Sequence, residues 1–185
     1  VTGEAAVQLT VSWGGVSTAT SYTLQLSIDG GGWSTVLANG ATSWGAGSQA
    51  TGTYGYRVQA CNASGCGPWS GTGTTNVLLP PASAPGLSVP ASSATGSYTV
   101  SWSAVATASS YTVQEQVNGG GWSTVQASSA TSWGASGRGD GSYGYRVQAC
   151  NASGCGPWSG TGTVSVLLVP ATPTGLSATL YVTYD

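Results

Sequence analysis

The sequence predicts an all-β protein: two tandem β-sandwiches followed by one extra C-terminal strand. Three observations predict it. Apolar and polar residues alternate with period two in run after run. Gly- and Ser-rich turns separate the runs, and the whole pattern returns after 89 residues. No segment carries helical periodicity.

The repeat is read from landmarks. Trp13 returns as Trp102, Tyr22 as Tyr111, Trp44 as Trp133, Cys61 as Cys150 and Trp69 as Trp158. No insertion or deletion disturbs this register, and about seven in ten positions from Thr10 to Thr74 match their partners. Within each copy the elements follow in order. Leu9, Val11 and Trp13 alternate with Thr10 and Ser12. Tyr22, Leu24, Leu26 and Ile28 alternate with Thr23, Gln25 and Ser27. Tyr54, Tyr56, Val58 and Ala60 alternate with Gly55, Arg57 and Gln59. One apolar face per strand marks half-buried antiparallel sheets. Asp29-Gly30 and Asn118-Gly119 sit where tight hairpins are needed, since both residue types tolerate positive φ. Glu115 replaces Leu26 on the apolar parity, and we expect it near the strand end, reaching solvent.

Composition narrows the function. Only 4% of the 185 residues are charged, the net charge is −2, and Arg57, Arg138 and Arg146 are the only side-chain cations. The chain has no His, so a Ser-His-Asp triad and an imidazole metal site are excluded. It has no Lys, which excludes a Schiff base and a P-loop. Three cations cannot track a phosphate backbone, so no nucleic-acid partner is expected. No apolar run approaches the ~20 residues of a membrane span. The carboxylates Glu4, Asp29, Glu115, Asp140 and Asp185 are scattered, with neither paired-acid nor calcium-loop spacing. We therefore expect no enzyme activity, no metal and no cofactor.

The order of residues resembles a known family. An early-strand Trp is followed by Tyr-x-Leu/Val, then Gly-Thr/Ser-Tyr-x-Tyr-Arg-Val-x-Ala, then Asn-Ala-Ser-Gly-x-Gly-Pro-Trp-Ser. This is similar to tandem fibronectin type III domains, in the small-residue-rich style of bacterial extracellular proteins. The resemblance implies seven strands per domain, named A, B, C, C′, E, F and G. It implies that Trp13 and Trp102 are the core Trp of strand B, and that Tyr54 and Tyr143 hold the tyrosine corner.

The phase of the repeat adds a second expectation. The family's strand A opens with a Pro-x-Gly-Leu-Ser-like run. The second domain has Ala84-Pro85-Gly86-Leu87-Ser88-Val89, whereas the same position for the first domain falls ahead of Val1. At the other end, Pro173-Thr174-Gly175-Leu176-Ser177 opens a third strand A with no domain behind it. The expected divisions are 1–80, a sandwich lacking its own strand A; 81–170, a complete sandwich; and 171–185, an orphan strand. Leu176, Ala178, Leu180, Val182 and Tyr184 share one face of that strand. Fifteen residues from Ala171 reach at most ~50 Å, short of the first domain in an end-to-end tandem. Insertion into a second copy is therefore expected, with Leu9, Val11 and Trp13 as acceptor, giving a head-to-tail homopolymer. The alternative is a spacer or binding module that is a fragment of a longer secreted array, in which the odd phase means nothing.

Four further features have two readings each. Cys61/Cys66 and Cys150/Cys155 have even count and identical spacing, which predicts two local disulfides and an oxidising, extracellular compartment. Asn62-Ala63-Ser64 and Asn151-Ala152-Ser153 are either glycosylation sequons or turn sequences. Arg138-Gly139-Asp140 is either an integrin-type adhesion tripeptide or a chance product of a Gly-rich loop. Trp33, Trp44, Trp69, Trp122, Trp133 and Trp158 either stack on polysaccharide or pack within the sandwiches.

Overall fold

The computed structural model describes residues 8–182. It forms two compact units, the first made of residues up to Ala82 with Asn151–Gly154 grouped to it, the second of Ser83–Cys150 and the residues from Cys155 on. Every regular element among the described residues is a strand.

In the first unit the order is β1 (Gln8–Ser12), β2 (Ser21–Ile28), β3 (Ser34–Asn39), β4 (Ser43–Ser48), β5 (Gly52–Asn62), β6 (Gly65–Cys66) and β7 (Gly73–Val77). β1 pairs with β4 in a two-stranded sheet. The facing sheet runs β3-β2-β5, and both β6 and β7 bond to β5. In the second unit the order is β8 (Leu87–Ser88), β9 (Ser92–Ser93), β10 (Tyr98–Trp102), β11 (Ser110–Val117), β12 (Trp122–Ser128), β13 (Ser132–Ala135), β14 (Gly141–Asn151), β15 (Gly154–Trp158) and β16 (Gly162–Val166). Here one sheet is β13-β10-β8. The other is β12-β11-β14-β16-β9, with β15 on β14. All pairings are antiparallel except β16 with β9.

The local chemistry explains the pairing. Asp29 and Gly30 have φ of 50° and 73°, as do Asn118 and Gly119, so each pair forms the centre of a tight turn, closed by Gly31 N–H to the Ile28 carbonyl and Gly120 N–H to that of Val117, at the start of the loops that join β2 to β3 and β11 to β12. Asp29 Oδ1 also accepts the Thr53 N–H at 2.8 Å, and Asn118 Oδ1 accepts that of Ser142 at 2.9 Å, tying each turn to the neighbouring strand. The Tyr54 hydroxyl donates to the Ala50 carbonyl, and Tyr143 to Gly139, which are the two tyrosine corners. A second pair of tyrosines had no sequence forecast. The Tyr22 hydroxyl accepts the Val16 N–H at 2.7 Å and Tyr111 accepts that of Val105 at 3.0 Å, pinning the loops after β1 and β10.

The second core is complete: Val100, Val113, Tyr145, Val147, Ala149 and Val164 have no exposed surface. One expectation fails inside it. Glu115 does not reach solvent; it is 8% exposed. Its Oε2 accepts the Tyr145 hydroxyl at 2.6 Å and pairs with Arg138 Nη2 at 2.8 Å. A buried carboxylate is tolerated because a cation and a hydroxyl replace its water.

Candidate functional site

The site is the uncovered side of the first sandwich. In the second unit, β8 lies on the outer edge of β10, pairing Leu87 with Trp102 and Ser88 with Ser101. In the first unit no strand among the described residues lies on the corresponding edge of β1, whose partner is β4 alone. Among the described residues, the strand on this edge is what distinguishes the two otherwise near-identical units.

The consequence appears in burial. Val100 and Trp102 of β10 are 0% and 5% exposed, while their counterparts Val11 and Trp13 are half-buried. Val147 and Ala149 are fully buried, while Val58 and Ala60, from an identical stretch of sequence, are half-buried. Leu9, Val11 and Trp13, the residues expected to accept a strand, are partly buried and packed against the first core. Beside them opens a cleft of about 780 Å³, running from Trp13 and Tyr22 past Val58 and Ala60 to the Cys61–Cys66 hairpin. Its wall is mixed, with the apolar Trp13, Val16 and Val58 beside the polar Thr18, Asn62, Ser64 and Ser70. It can take a strand or a chain segment.

The proposed donor residues lie elsewhere in the chain and carry no strand. Residues 167–182 form no regular element, and Leu176, Leu180 and Val182 are 99%, 88% and 62% exposed. Ala178 is exposed as well. Tyr184, expected on the same face, lies outside the described residues, as does the region before Gln8.

Both disulfides are present, Cys61–Cys66 and Cys150–Cys155, and no described cysteine is free. Each staples a hairpin tip, with its first sulfur beside Thr23 or Thr112 on the outer face. At these tips Asn62 Oδ1 accepts the Ser64 N–H and Asn151 Oδ1 that of Ser153, so both asparagines form turns of their own.

The arginine of the Arg138-Gly139-Asp140 tripeptide is only 25% exposed and ion-paired to Glu115. The Gly139 carbonyl receives the Tyr143 hydroxyl, and Asp140 Oδ1 accepts the Leu168 N–H at 2.7 Å. Burial pushes the Tyr145 phenol well above its ordinary pKa, and its bonds to Glu115 and Tyr98 push it further the same way. Burial likewise raises Tyr98 and Tyr56.

The tryptophans divide into two sets. Trp44 and Trp133 pack at a tilt against Tyr56 and Tyr145, with ring centroids 6.3 and 5.7 Å apart. Trp33 and Trp69 clamp the Arg57 guanidinium from 4.4 and 4.5 Å, and Trp122 and Trp158 clamp Arg146 in the same way. Gln25 and Gln114 each accept two bonds from the clamped arginine. Sequence reasoning did not foresee these clamps. Their signal was the shared return of Trp33, Arg57 and Trp69 in the 89-residue register.

With A, B and E in one layer and C′, C, F and G in the other, and a tyrosine corner on F, the second unit is a fibronectin type III-like sandwich; the described residues of the first follow the same plan, with none of them forming a strand in the place of A. Among solved structures, the chain is similar to the FN1–FN3 domains of chicken CNTN1, with 21% sequence identity and a TM-score of 0.46. That match covers 86% of this chain and 61% of the other, so the chain spans less than two thirds of that structure's length. No protein-family model and no curated protein matches this sequence.

Proposed function

We propose that this chain is the structural subunit of an extracellular filament, in which each copy lends its C-terminal strand to the first sandwich of the next. The uncovered edge of β1 carries this reading: a strand that fills the same place on β10 is what seals the second core. The exposed row Leu176, Ala178, Leu180 and Val182 is the right material to cover it. Burying four apolar side chains contributes on the order of 6–12 kcal/mol before ordering costs. A head-to-tail contact of this kind propagates instead of closing. The two disulfides and the low charge support an oxidising, extracellular setting and a surface suited to association.

Negative-stain microscopy and sedimentation of the 185-residue chain, beside a chain lacking Thr174 to Asp185, test the reading. Fibres from the whole chain and none from the truncated one are expected, with the second sandwich still folded in both. Fibres that persist after truncation overturn strand donation. A whole chain that stays monomeric at every concentration favours a spacer or adhesion module within a larger protein.

A further inference from the structure

Resting on the strand-donation reading, we infer the register of the joint: a straight strand A, antiparallel to β1 of a second copy, with Leu176 opposite Trp13, Ala178 opposite Val11 and Leu180 opposite Leu9.

The internal template fixes the starting pair. Leu87 lies opposite Trp102. Gly86, Leu87 and Ser88 stand 89 residues before Gly175, Leu176 and Ser177. Transferred to the first sandwich, the same pairing sets Leu176 against Trp13 and Ser177 against Ser12. Continuing along both strands, every half-buried residue of β1 then meets an apolar donor residue, and exposed Thr10 meets Thr179. Opposed residues of paired strands share a face, so the apolar set goes inward together.

The ladder also explains why the new strand runs longer than β8. The Trp102 N–H donates toward β13, at the Thr131 carbonyl, and the Ser103 N–H donates to Gly86 on the other side. Alternation then points the backbone of Thr99 toward the β8 edge. The residue due opposite Thr99 is Pro90, which has no N–H to give, and β8 ends at Ser88. In the C-terminal segment that place belongs to Thr179, which restores the donor opposite Thr10.

The opposing sheet keeps a matching notch. A Cβ on Gly162 would lie 2.8 Å from Val89 and 3.2 Å from Leu87, so glycine is what lets these side chains lie there. Gly73 holds the same position in the first sandwich, and a Cβ there would meet nothing within 4 Å. Leu176 and Ala178, the counterparts of Leu87 and Val89, fill that space.

Paired cysteines in the full chain test the register, read as covalent ladders on denaturing gels after mild oxidation of assembled filaments. Ladders from both S12C/S177C and T10C/T179C are expected, since residues opposed in a strand pair are close enough to bridge. A ladder from S12C/S177C alone means the donor leaves β1 after Ser177 as β8 leaves β10, and overturns the straight strand while leaving donation intact. A ladder from S12C/T179C overturns the register. Filaments that give no ladder from any pair overturn the β1 edge as the joint, and a bridge formed within single chains overturns the second copy as donor. Failure to form filaments at all overturns the underlying reading instead. As a check free of cysteine chemistry, T179P re-creates the Pro90 stop and is expected to raise the concentration needed for assembly at least ten-fold. An unchanged threshold overturns the straight strand.

Discussion

Positions 26 and 115 occupy the same place in the two sandwiches, yet one holds Leu and the other Glu. The substitution is not isolated. Leu9 becomes Tyr98 and Gln49 becomes Arg138, so an apolar corner turns into a tyrosine–carboxylate–arginine chain. Where that chain is missing, the buried Tyr56 hydroxyl finds no partner among the described residues. Period-two parity correctly pointed residue 115 inward. The three changes had to be read together to see that it could stay there, and strand parity does not reveal cross-strand partners. E115L is expected to cost the second sandwich about 2 kcal/mol in denaturant melts, because it leaves the partly solvated Arg138 cation without its carboxylate and takes one of the two partners of the Tyr145 hydroxyl, Tyr98 being the other. Adding R138Q, the first sandwich's own choice, is expected to recover about half of that. The raised phenol of Tyr145 has its own signature. Unfolded tyrosines ionise near pH ~10, while the folded one stays neutral above that. Its contribution is therefore complete below pH ~10 and is lost as pH rises toward the folded value. Melts at pH ~9 and ~11 should show this loss, and Y145F should reduce it, leaving the part owed to the other raised phenols, Tyr98 and Tyr56.

The strands themselves were the most legible level, because each carries its face in alternation and each hairpin its turn residues. Asp29-Gly30 and Asn118-Gly119 are the clearest instances: residue type dictated φ, and φ dictated the turn. The Cys61–Cys66 and Cys150–Cys155 staples were equally plain from spacing. Each closes so short a loop that removing it with paired Ser substitutions is expected to cost about 2 kcal/mol per sandwich, seen as a lowered denaturation midpoint with unchanged slope. What alternation could not show is the notch at Gly73, since a glycine's value lies in what crosses over it. G73V supplies an element-scale prediction. Its Cβ has room in the isolated first sandwich, so the melting behaviour of the unassembled chain should be unchanged. The branched side chain occupies the place due to Leu176, so assembly measured by sedimentation should be lost. The same substitution at Gly162 should unfold the second sandwich, where Val89 and Leu87 already fill the space.

At the scale of the molecule, two halves of nearly one sequence differ in how finished they are. Among the described residues the second core has ten buried members and the first has four, although their central strand β5 is repeated almost residue for residue in β14. An incomplete core that is sealed by a separate segment obeys mass action, whereas a self-contained one does not. The expected outcome is two unfolding transitions. The first sandwich's midpoint should rise with protein concentration, and the second's should stay fixed. A synthetic peptide of residues 173–185, added to the chain truncated before Thr174, isolates the effect from filament formation. Binding only the folded form, it should stabilise the first sandwich by about 2.7 kcal/mol at a hundred times its dissociation constant. A peptide carrying Asp at 176 and 180 should do nothing, because it offers charge to the apolar Trp13 and Leu9. The reporter is built in: Trp13 lines the cleft and Trp44 packs against the first core, while Trp102 and Trp133 hold the matching places in the second sandwich, so W102Y and W133Y leave tryptophan fluorescence weighted toward the half that changes. A blue shift that saturates with the native peptide, and not with the Asp variant, locates the vacancy in the first sandwich. Equal shifts from both peptides would show that binding does not depend on the apolar residues at 176 and 180, and would overturn their place in the joint.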